Sequence, residues 1–331
     1  MRLKQLLEKL EYTCVQGSLE KEVTAVVYDS RKIVEGCMFL CIEGANFDGH
    51  SVAEEAVKKG ASVLVTCKAV DVKGEVTIIR VENTRYAMAF ISAAWFGHPA
   101  EKLKVIGITG TKGKTTTTYL VKSILENAGK KVGLIGTIET IIGKEHIPAV
   151  NTTPESYLLQ ESFAKMVEAG CDAVVMEVSS QGLMLHRTQG FIFDYGIFTN
   201  MEADHIGPNE HASFEEYMAC KGLLFQQCKV GIVNSDDVHW KTVTDGYTCQ
   251  LETYGFKEGA NLQATDMVLV KEKGRIGVKF HVSGFMNMDV EVATPGRFSV
   301  YNALTAIAIC RHFGVSEEDI KKALLMEKVK C

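Results

Sequence analysis

The chain has 331 residues, 46% of them hydrophobic, and a formal net charge of -5. That is enough for two or three domains with real cores, and the mild negative balance offers no polyanion-binding surface, which excludes nucleic acid as the expected partner. No apolar run approaches the length of a membrane span, and the start Met1-Arg2-Leu3-Lys4-Gln5-Leu6-Leu7 is amphipathic, unlike a signal peptide. Ten cysteines are scattered without a C-x-x-C pair or a metal-ligand spacing, so buried, reduced thiols in a cytoplasmic protein are expected.

Residues 1–100 read as a small α/β domain. Leu3, Leu6, Leu7 and Leu10 keep helical spacing. Val23 to Val27 and Cys37 to Ile42 read as strands, with Asp29-Ser30-Arg31 between them. The second strand leads into a polar, Gly-rich loop, Glu43-Gly44-Ala45-Asn46-Phe47-Asp48-Gly49-His50, and then a helix (Val52, Ala53, Ala56, Val57). Turn chemistry explains the Gly and Asp positions here as well as binding does. Ala61 to Val65 and Val76 to Val81 continue the sheet. A helix over Thr84 to Phe96 stops at Gly97-His98-Pro99, which marks the boundary.

From residue 101 to 331 the pattern is β-α-β-α, the signature of a mostly parallel sheet with helices on both faces. It opens on Val105-Ile106-Gly107-Ile108-Thr109-Gly110-Thr111-Lys112-Gly113-Lys114-Thr115-Thr116. A β-branched strand breaks into a Gly/Thr/Lys turn, and a helix follows (Leu120, Val121, Ile124, Leu125). Strand, loop and helix N-terminus make a phosphate cradle: glycines admit backbone N–H groups close to an anion, Lys114 reaches the terminal phosphates, and the Thr115 hydroxyl can ligate Mg²⁺. The usual pattern would place Gly at 108, where Ile108 stands; an ordinary turn with a solvated lysine is the competing reading.

Lys131 to Ile135 reads as a strand. In Asn151-Thr152-Thr153-Pro154-Glu155 the proline falls in the first turn of a helix. Asp172 to Val178 is a strand that ends in Glu177-Val178-Ser179-Ser180-Gln181. A glutamate at the carboxyl end of a parallel strand points to the ligand crevice; Mg²⁺ or a salt bridge to a neighbouring helix would satisfy it. Phe193 to Asn200 is a further strand, followed by Asp204 and His205. Phe214 to Cys228 reads as an amphipathic helix whose Lys221, taken alone, looks like solvated surface. Val230 to Val233 is a strand, residues 251–293 alternate like β-structure, and Pro295-Gly296-Arg297 opens a helix over Phe298 to Phe313 that holds Tyr301 and Asn302. A helix from Glu317 to Leu325 comes last.

Taken together, these motifs resemble the Mur ligases of peptidoglycan synthesis, and among them the type that adds the third residue of the peptide. The resemblance covers essentially the whole chain. Asp29-Ser30-Arg31 with Gly44-x-x-x-Asp48-Gly49-His50 is similar to the family's uridine-nucleotide domain, and Gly110-Thr111-Lys112-Gly113-Lys114-Thr115-Thr116 to its short P-loop. Asn151-Thr152-Thr153-Pro154, Glu177-Val178-Ser179-Ser180, Thr199-Asn200 and Asp204-His205 follow at family-like spacing.

The resemblance implies an ATP-dependent amide ligase that joins a diamino acid, meso-diaminopimelate or L-lysine, to UDP-MurNAc-L-Ala-D-Glu through an acyl phosphate. It implies that Ser30 and Asn46 contact the UDP part, and that Asn151, Thr152, Thr153, Ser179 and Arg187 hold the muramoyl-dipeptide. Gly110 to Thr116 would bind ATP phosphates, with Asn302 near the adenosine. Thr115, Glu177, His205 and Lys221, the last as a carbamate, would hold magnesium, and Lys114, Glu177, His205 and Lys221 would form the catalytic group. A monomer is expected. Gln181 replaces the family's His, Leu185 replaces a polar residue, and the loop from Ile206 to His211 departs from the family's pattern. Family members carry a third, amino-acid-binding domain, and this chain ends where its linker would begin. The alternatives are a truncated, non-catalytic binder of UDP-sugar and nucleotide, and a relative of folylpolyglutamate synthetase, against which the Asp-Ser-Arg domain argues.

Overall fold

The structure is a computed structural model that describes all residues except 45–46, 205, 208–209, 273–274 and 327–331, together with the side chains of 272 and 275. The described chain forms two compact units. The first comprises Met1–Pro99 with two later segments, Glu155–Ala164 and Leu185–Phe191; the second holds the rest.

In the first unit the elements are α1 (Leu3–Leu6), β1 (Thr13–Gln16), β2 (Val26–Val27), β3 (Met38–Leu40), α2 (Ala53–Lys58), β4 (Val63–Thr66), β5 (Thr77–Arg80) and α3 (Thr84–Trp95). The sheet runs β1-β5-β4-β3-β2, with β1 antiparallel to β5 and the other pairs parallel. Alternation along β3 and β4 sends Met38, Leu40, Val63 and Val65 to a core shared with Leu3, Met88 and Ile91, and Phe39 and Leu64 to one shared with Ala53 and Ala56. Asn83 caps α3 by accepting the N–H groups of Arg85 and Tyr86. The first helix is shorter than its leucine spacing predicts. It ends at Leu6, and Leu10 reaches the core from a turn in which its N–H bonds the Leu7 carbonyl.

In the second unit the order continues as β6 (Lys104–Thr109), α4 (Lys114–Asn127), β7 (Val132–Ile135), β8 (Glu139–Ile142), β9 (Glu145–Pro148), α5 (Ser156–Glu168), β10 (Ala173–Glu177), α6 (Ser180–Met184), β11 (Phe193–Phe198), α7 (Phe214–Gly222), β12 (Cys228–Asn234), α8 (Trp240–Val243), β13 (Gln250–Gly255), β14 (Leu262–Glu272), β15 (Arg275–Gly284), β16 (Met288–Val292), α9 (Arg297–Cys310) and α10 (Glu317–Met326). The first part of α5, up to Ala164, belongs to the first unit. Eleven strands form one sheet in the order β16-β15-β14-β13-β12-β11-β6-β10-β7-β8-β9. Every pairing from β14 across to β7 is parallel, and both wings, β14-β15-β16 and β7-β8-β9, are antiparallel.

Ile106 and Ile108 of β6 pack into a cluster with Leu120, Val121 and Ile124 of α4, Leu304 and Ile307 of α9 and Leu324 of α10. Glycines on the opposite face let bulky groups lie close: a Cβ on Gly107 would come 2.6 Å from the Phe193 ring, and one on Gly133 would come 2.4 Å from Met166 Sδ. Helices thus cover both faces, as the β-α-β-α pattern predicts. Two boundaries differ from expectation. Pro154 stands ahead of α5 rather than in its first turn: the helix starts at Ser156, and the Leu159 N–H reaches back to the Glu155 carbonyl. The helix over Lys221 stops at Gly222, tightens into a 3-10 turn over Leu223–Gln226, and is followed at Cys228 by β12. A Cβ at Gly222 would meet the Val243 carbonyl at 2.5 Å, so only glycine admits that close passage.

Candidate active site

The carboxyl ends of β6, β10 and β11 lie side by side in the parallel part of the sheet. The loop after β6 carries the Gly-rich segment. Gly110 has φ of +142° and Gly113, the N-cap of α4, has φ of +85°. A Cβ at Gly113 would also fall 2.7 Å from Asn302 Oδ1, so both backbone angle and space require glycine. The loop is pinned from β11: Lys112 N–H donates to Asn200 Oδ1 at 2.8 Å, and Asn200 Nδ2 and Thr199 Oγ1 both donate to the Lys112 carbonyl at 2.9 Å. Lys112 pairs with Glu202 at the surface.

Lys114 Nζ folds over the loop and donates to the carbonyls of Gly110 (2.9 Å) and Thr111 (3.0 Å). Burial lowers its pKa, against the opposing pull of Glu177 and Asp204. Thr115 Oγ1 donates to Glu177 Oε1 at 2.9 Å. Glu177 is 1% exposed at the end of β10. Its oxygens also accept the N–H and the hydroxyl of Thr137, each at 3.0 Å. Hydroxyls and one amide therefore satisfy this carboxylate, and the expected alternative of a salt bridge to a helix is absent among the described residues.

Lys221 is the clearest departure from a residue-by-residue reading. It is 2% exposed, its Nζ donates to the same Gly110 carbonyl at 3.1 Å, and it lies 4.4 Å from the centre of the Tyr217 ring. Tyr217 is four residues earlier on α7, one helical turn away. Burial first, and then the repulsion of Lys114, push the Lys221 pKa well below the ordinary lysine value. Tyr217 in turn places its hydroxyl 3.4 Å from Thr111 Oγ1.

Thr152 and Thr153 lie beside the same carboxylate. Thr152 Oγ1 is 3.1 Å from Thr137 Oγ1. Thr153, fully buried, donates to the Glu177 carbonyl at 3.1 Å and accepts the Ser179 N–H at 2.9 Å. Ser179 Oγ takes the Gly182 N–H at 3.0 Å, closing the first turn of α6. Asn151 is exposed, and Thr116 is half-buried in the first turn of α4. Among the described residues no group of three or more His, Cys, Asp and Glu side chains is arranged to hold a metal ion. Thr115 and Glu177 nonetheless supply adjacent hard oxygen donors of the kind magnesium takes. His205 lies outside the described residues.

A cavity of about 190 Å³ opens beside the loop, lined by Asn200, Asn234, Asp236, Tyr301 and Asn302 among others. Most of its polar groups are already engaged. Asp236 accepts the Tyr301 hydroxyl (2.7 Å) and the N–H groups of Phe256 (2.6 Å) and Lys257 (2.9 Å). Asn234 Nδ2 donates to the Thr199 carbonyl at 2.9 Å. Asn302 Oδ1 accepts a long bond from Thr117 Oγ1, 3.4 Å, and its amide nitrogen has no partner among the described residues. That nitrogen is the donor the cavity leaves for a ligand.

Comparison with known proteins follows the same outline. The profile of the Mur ligase middle domain matches residues 108–310, and that of the Mur ligase family catalytic domain matches residues 22–108. The chain belongs to the Mur ligase family. It is 42% identical over 98% of its length to a UDP-N-acetylmuramoyl-L-alanyl-D-glutamate–2,6-diaminopimelate ligase of Clostridium acetobutylicum, of which it covers 66%. It is 40% identical over its whole length to the corresponding ligase of Caldanaerobacter subterraneus, of which it covers 67%. The chain thus spans about two thirds of the length of these curated relatives. A solved structure of a ligase with the same name superposes with a TM-score of 0.83 at 20% identity, covering 98% of this chain and 66% of the other. The MurF ligase of Thermotoga maritima, solved with ADP, superposes at 0.62 and 19% identity over 92% of this chain and 66% of that one.

In this member of the Mur ligase family, Ser30 and Arg187 lie in the first unit. Ser30 opens a short 3-10 turn capped by Asp29, whose carboxylate accepts Arg31 N–H at 3.0 Å and the Arg31 guanidinium at 2.9 and 2.8 Å. Asn46 lies outside the described residues. Two residues further on, Asp48 Oδ1 is 2.6 Å from His50 Nδ1, and His50 Nε2 accepts the Cys67 N–H at 3.1 Å, which ties the loop to the end of β4. Arg187 donates to Glu155 Oε1 at 2.7 Å, while Arg85 donates to Glu155 Oε2 at 3.0 Å. Two guanidiniums share one half-buried carboxylate. Thr137 and Tyr217 were not picked out from sequence. Their signals were present: Thr137 just follows a strand's carboxyl end, and Tyr217 precedes Lys221 by one helical turn. No described helix is long and apolar enough to cross a membrane.

Proposed function

We propose that this chain carries the nucleotide- and UDP-sugar-handling part of an ATP-dependent amide ligase. Its acceptor would be UDP-MurNAc-L-Ala-D-Glu and its donor amine a diamino acid. The observation that supports the reading most is the convergence of Lys114, Lys221, Thr115 and Glu177 on one loop, Gly110 to Thr115, at the carboxyl edge of the sheet. The diaminopimelate ligases at about 40% identity support that substrate class.

In this mechanism the loop N–H groups and the α4 N-terminus cradle the ATP phosphates. Lys114 leaves the Gly110 and Thr111 carbonyls and turns its ammonium to the γ-phosphoryl group, where charge develops as the D-Glu γ-carboxylate attacks, the bond to the β–γ bridging oxygen breaks and ADP leaves. The acyl phosphate formed is attacked by the diamino-acid amine, and phosphate departs. Magnesium, when bound, neutralises phosphate charge and orients the phosphoryl group. Thr115 and Glu177 would hold it, together with His205 and a carbamate on Lys221. The depressed pKa of Lys221 suits that modification, because only the neutral amine reacts with carbon dioxide. Asn302 would donate to the adenosine, Thr152, Thr153, Ser179 and Asn151 would line the path of the muramoyl-peptide, and Ser30, Asn46 and Arg187 would bind the UDP-sugar. A cytoplasmic monomer fits a pathway of soluble precursors.

Phosphate release tests this directly. With UDP-MurNAc-L-Ala-D-Glu, ATP, magnesium and meso-diaminopimelate or L-lysine, we expect amine-dependent phosphate and a tripeptide product detected by mass. Lys114→Ala should weaken binding of a β,γ-imido analogue of ATP by roughly 10- to 100-fold, the worth of a charge-assisted contact. Wild-type protein that binds neither ADP nor the UDP-sugar peptide in calorimetry would overturn the proposal.

A further inference from the structure

Glu177 is held from two elements, by Thr115 on α4 and by Thr137 in the turn between β7 and β8. The turn has its own anchor. The Gly136 N–H donates to the Glu139 carbonyl at 3.1 Å, so Glu139, the first residue of β8, closes it. The Glu139 side chain is 15% exposed and bonded at both oxygens. Tyr119 OH donates to Oε1 at 2.7 Å, and His146 Nδ1 on β9 lies 2.7 Å from Oε2. Burial, then the bond to Glu139, then the nearby Glu177 raise the Tyr119 pKa, which keeps the phenol a donor.

The placement has a mechanical meaning. Thr115 and Tyr119 are four residues apart on α4, on one face of the helix. One grips the Glu177 carboxylate and the other grips Glu139, two residues beyond Thr137. The helix that starts at the phosphate loop therefore fixes Glu177 twice, once directly and once through the turn. A freed turn would let Thr137 release one or both Glu177 oxygens, and a buried carboxylate short of donors loses the bonds that fix its orientation.

We propose that Glu139, held by Tyr119 and His146, is a positioning residue that locks the Thr137 turn and so sets the Glu177 carboxylate for a divalent cation carried by a nucleotide. The inference rests on the nucleotide-site reading above and extends it to residues outside the site. His146 is the lesser partner, because its side chain is 54% exposed.

The test measures affinity for a β,γ-imido analogue of ATP by calorimetry, in magnesium and in EDTA. Wild-type protein should bind more tightly with magnesium. Tyr119→Phe should cut that magnesium-dependent gain by about 3- to 10-fold, less than the roughly 10- to 100-fold seen for direct partners of metal ligands, because Tyr119 acts one step further out. Its affinity in EDTA should not change. Glu139→Gln should act in the same direction, and the double variant should lose no more than the worse single one, because both break one shared bond. His146→Gln should have the smallest effect. Equal losses with and without magnesium, or no loss in either variant, would refute the positioning role; a variant with a lowered melting temperature and equal losses counts as refutation too. If wild-type protein shows no magnesium-dependent gain, the nucleotide-site reading fails as well. If wild-type protein shows it and the variants keep it, only the role of Glu139 falls.

Discussion

Single residues show how far local chemistry departs from surface-and-core expectations. Lys221 sits between Cys220 and Gly222 on its helix, and a lysine is a residue type ordinarily left in water. Its burial follows from the loop it meets: its ammonium donates to the Gly110 carbonyl and lies over the Tyr217 ring. Asp29 is the opposite case, a residue whose role is readable from three letters. Asp29-Ser30-Arg31 forms a capped turn in which the side-chain bond from Arg31, then its backbone N–H, hold the Asp29 carboxyl down at about 2, against 3.8 ordinarily. The folded state thus favours the ionised form. The stabilisation is fully present above the ordinary value and is lost as pH falls through about 2. Asp29→Asn should therefore lower the melting temperature at neutral pH by a small amount, since the group is near the surface, and the gap to wild type should close as pH is brought from 5 to 2. Calorimetry across that range checks it, and a gap that widens on acidification would contradict it.

At the level of elements, β6, the phosphate loop and α4 were legible because each rests on local rules: a β-branched run, glycines at positive φ, and helical spacing of Leu120, Val121, Ile124 and Leu125. So was the parallel sheet with covered faces. The antiparallel wing β8-β9 was missed because its short strands, Glu139–Ile142 and Glu145–Pro148, lie in a stretch without a clear alternation of period two. The end of α7 was misplaced because packing, here the Val243 carbonyl against Gly222, outweighs the apolar periodicity that continues to Phe225. The sheet's glycines yield a sharper prediction. Gly107 leaves room for the Phe193 ring, so Gly107→Ala should cost roughly 1–3 kcal/mol through overpacking. Gly143, whose Cβ would meet only Ala169 at 3.9 Å, has space but φ of +58°, so Gly143→Ala should cost about 1 kcal/mol from backbone strain alone. Denaturant titration of the two variants separates them. Equal costs would mean that β6 shifts to admit the methyl group.

On the scale of the whole molecule, the sequence reading placed one boundary near residue 100, where Gly97-His98-Pro99 ends α3. The first compact unit also takes Glu155–Ala164 and Leu185–Phe191. Neither segment announces its allegiance, because membership is decided by contacts such as Tyr157 against Tyr28 and Phe96, with ring centres 5.8 and 5.1 Å apart, and Arg187 against Glu155. A fragment of residues 1–99 should consequently be less stable than the same residues within the chain. It should show a broadened thermal transition and faster amide exchange in α3, which loses Glu155 from Arg85 and His186 from Tyr86. A fragment as stable as the intact chain would mean that the later segments are passengers. The discontinuity has a temporal side. During synthesis, at roughly 5–20 residues per second, the first hundred residues emerge without the two strands of chain that complete their packing. The unit that begins first must wait, partly open, until position 191 has cleared the ribosome, and only then can its hydrophobic seams close.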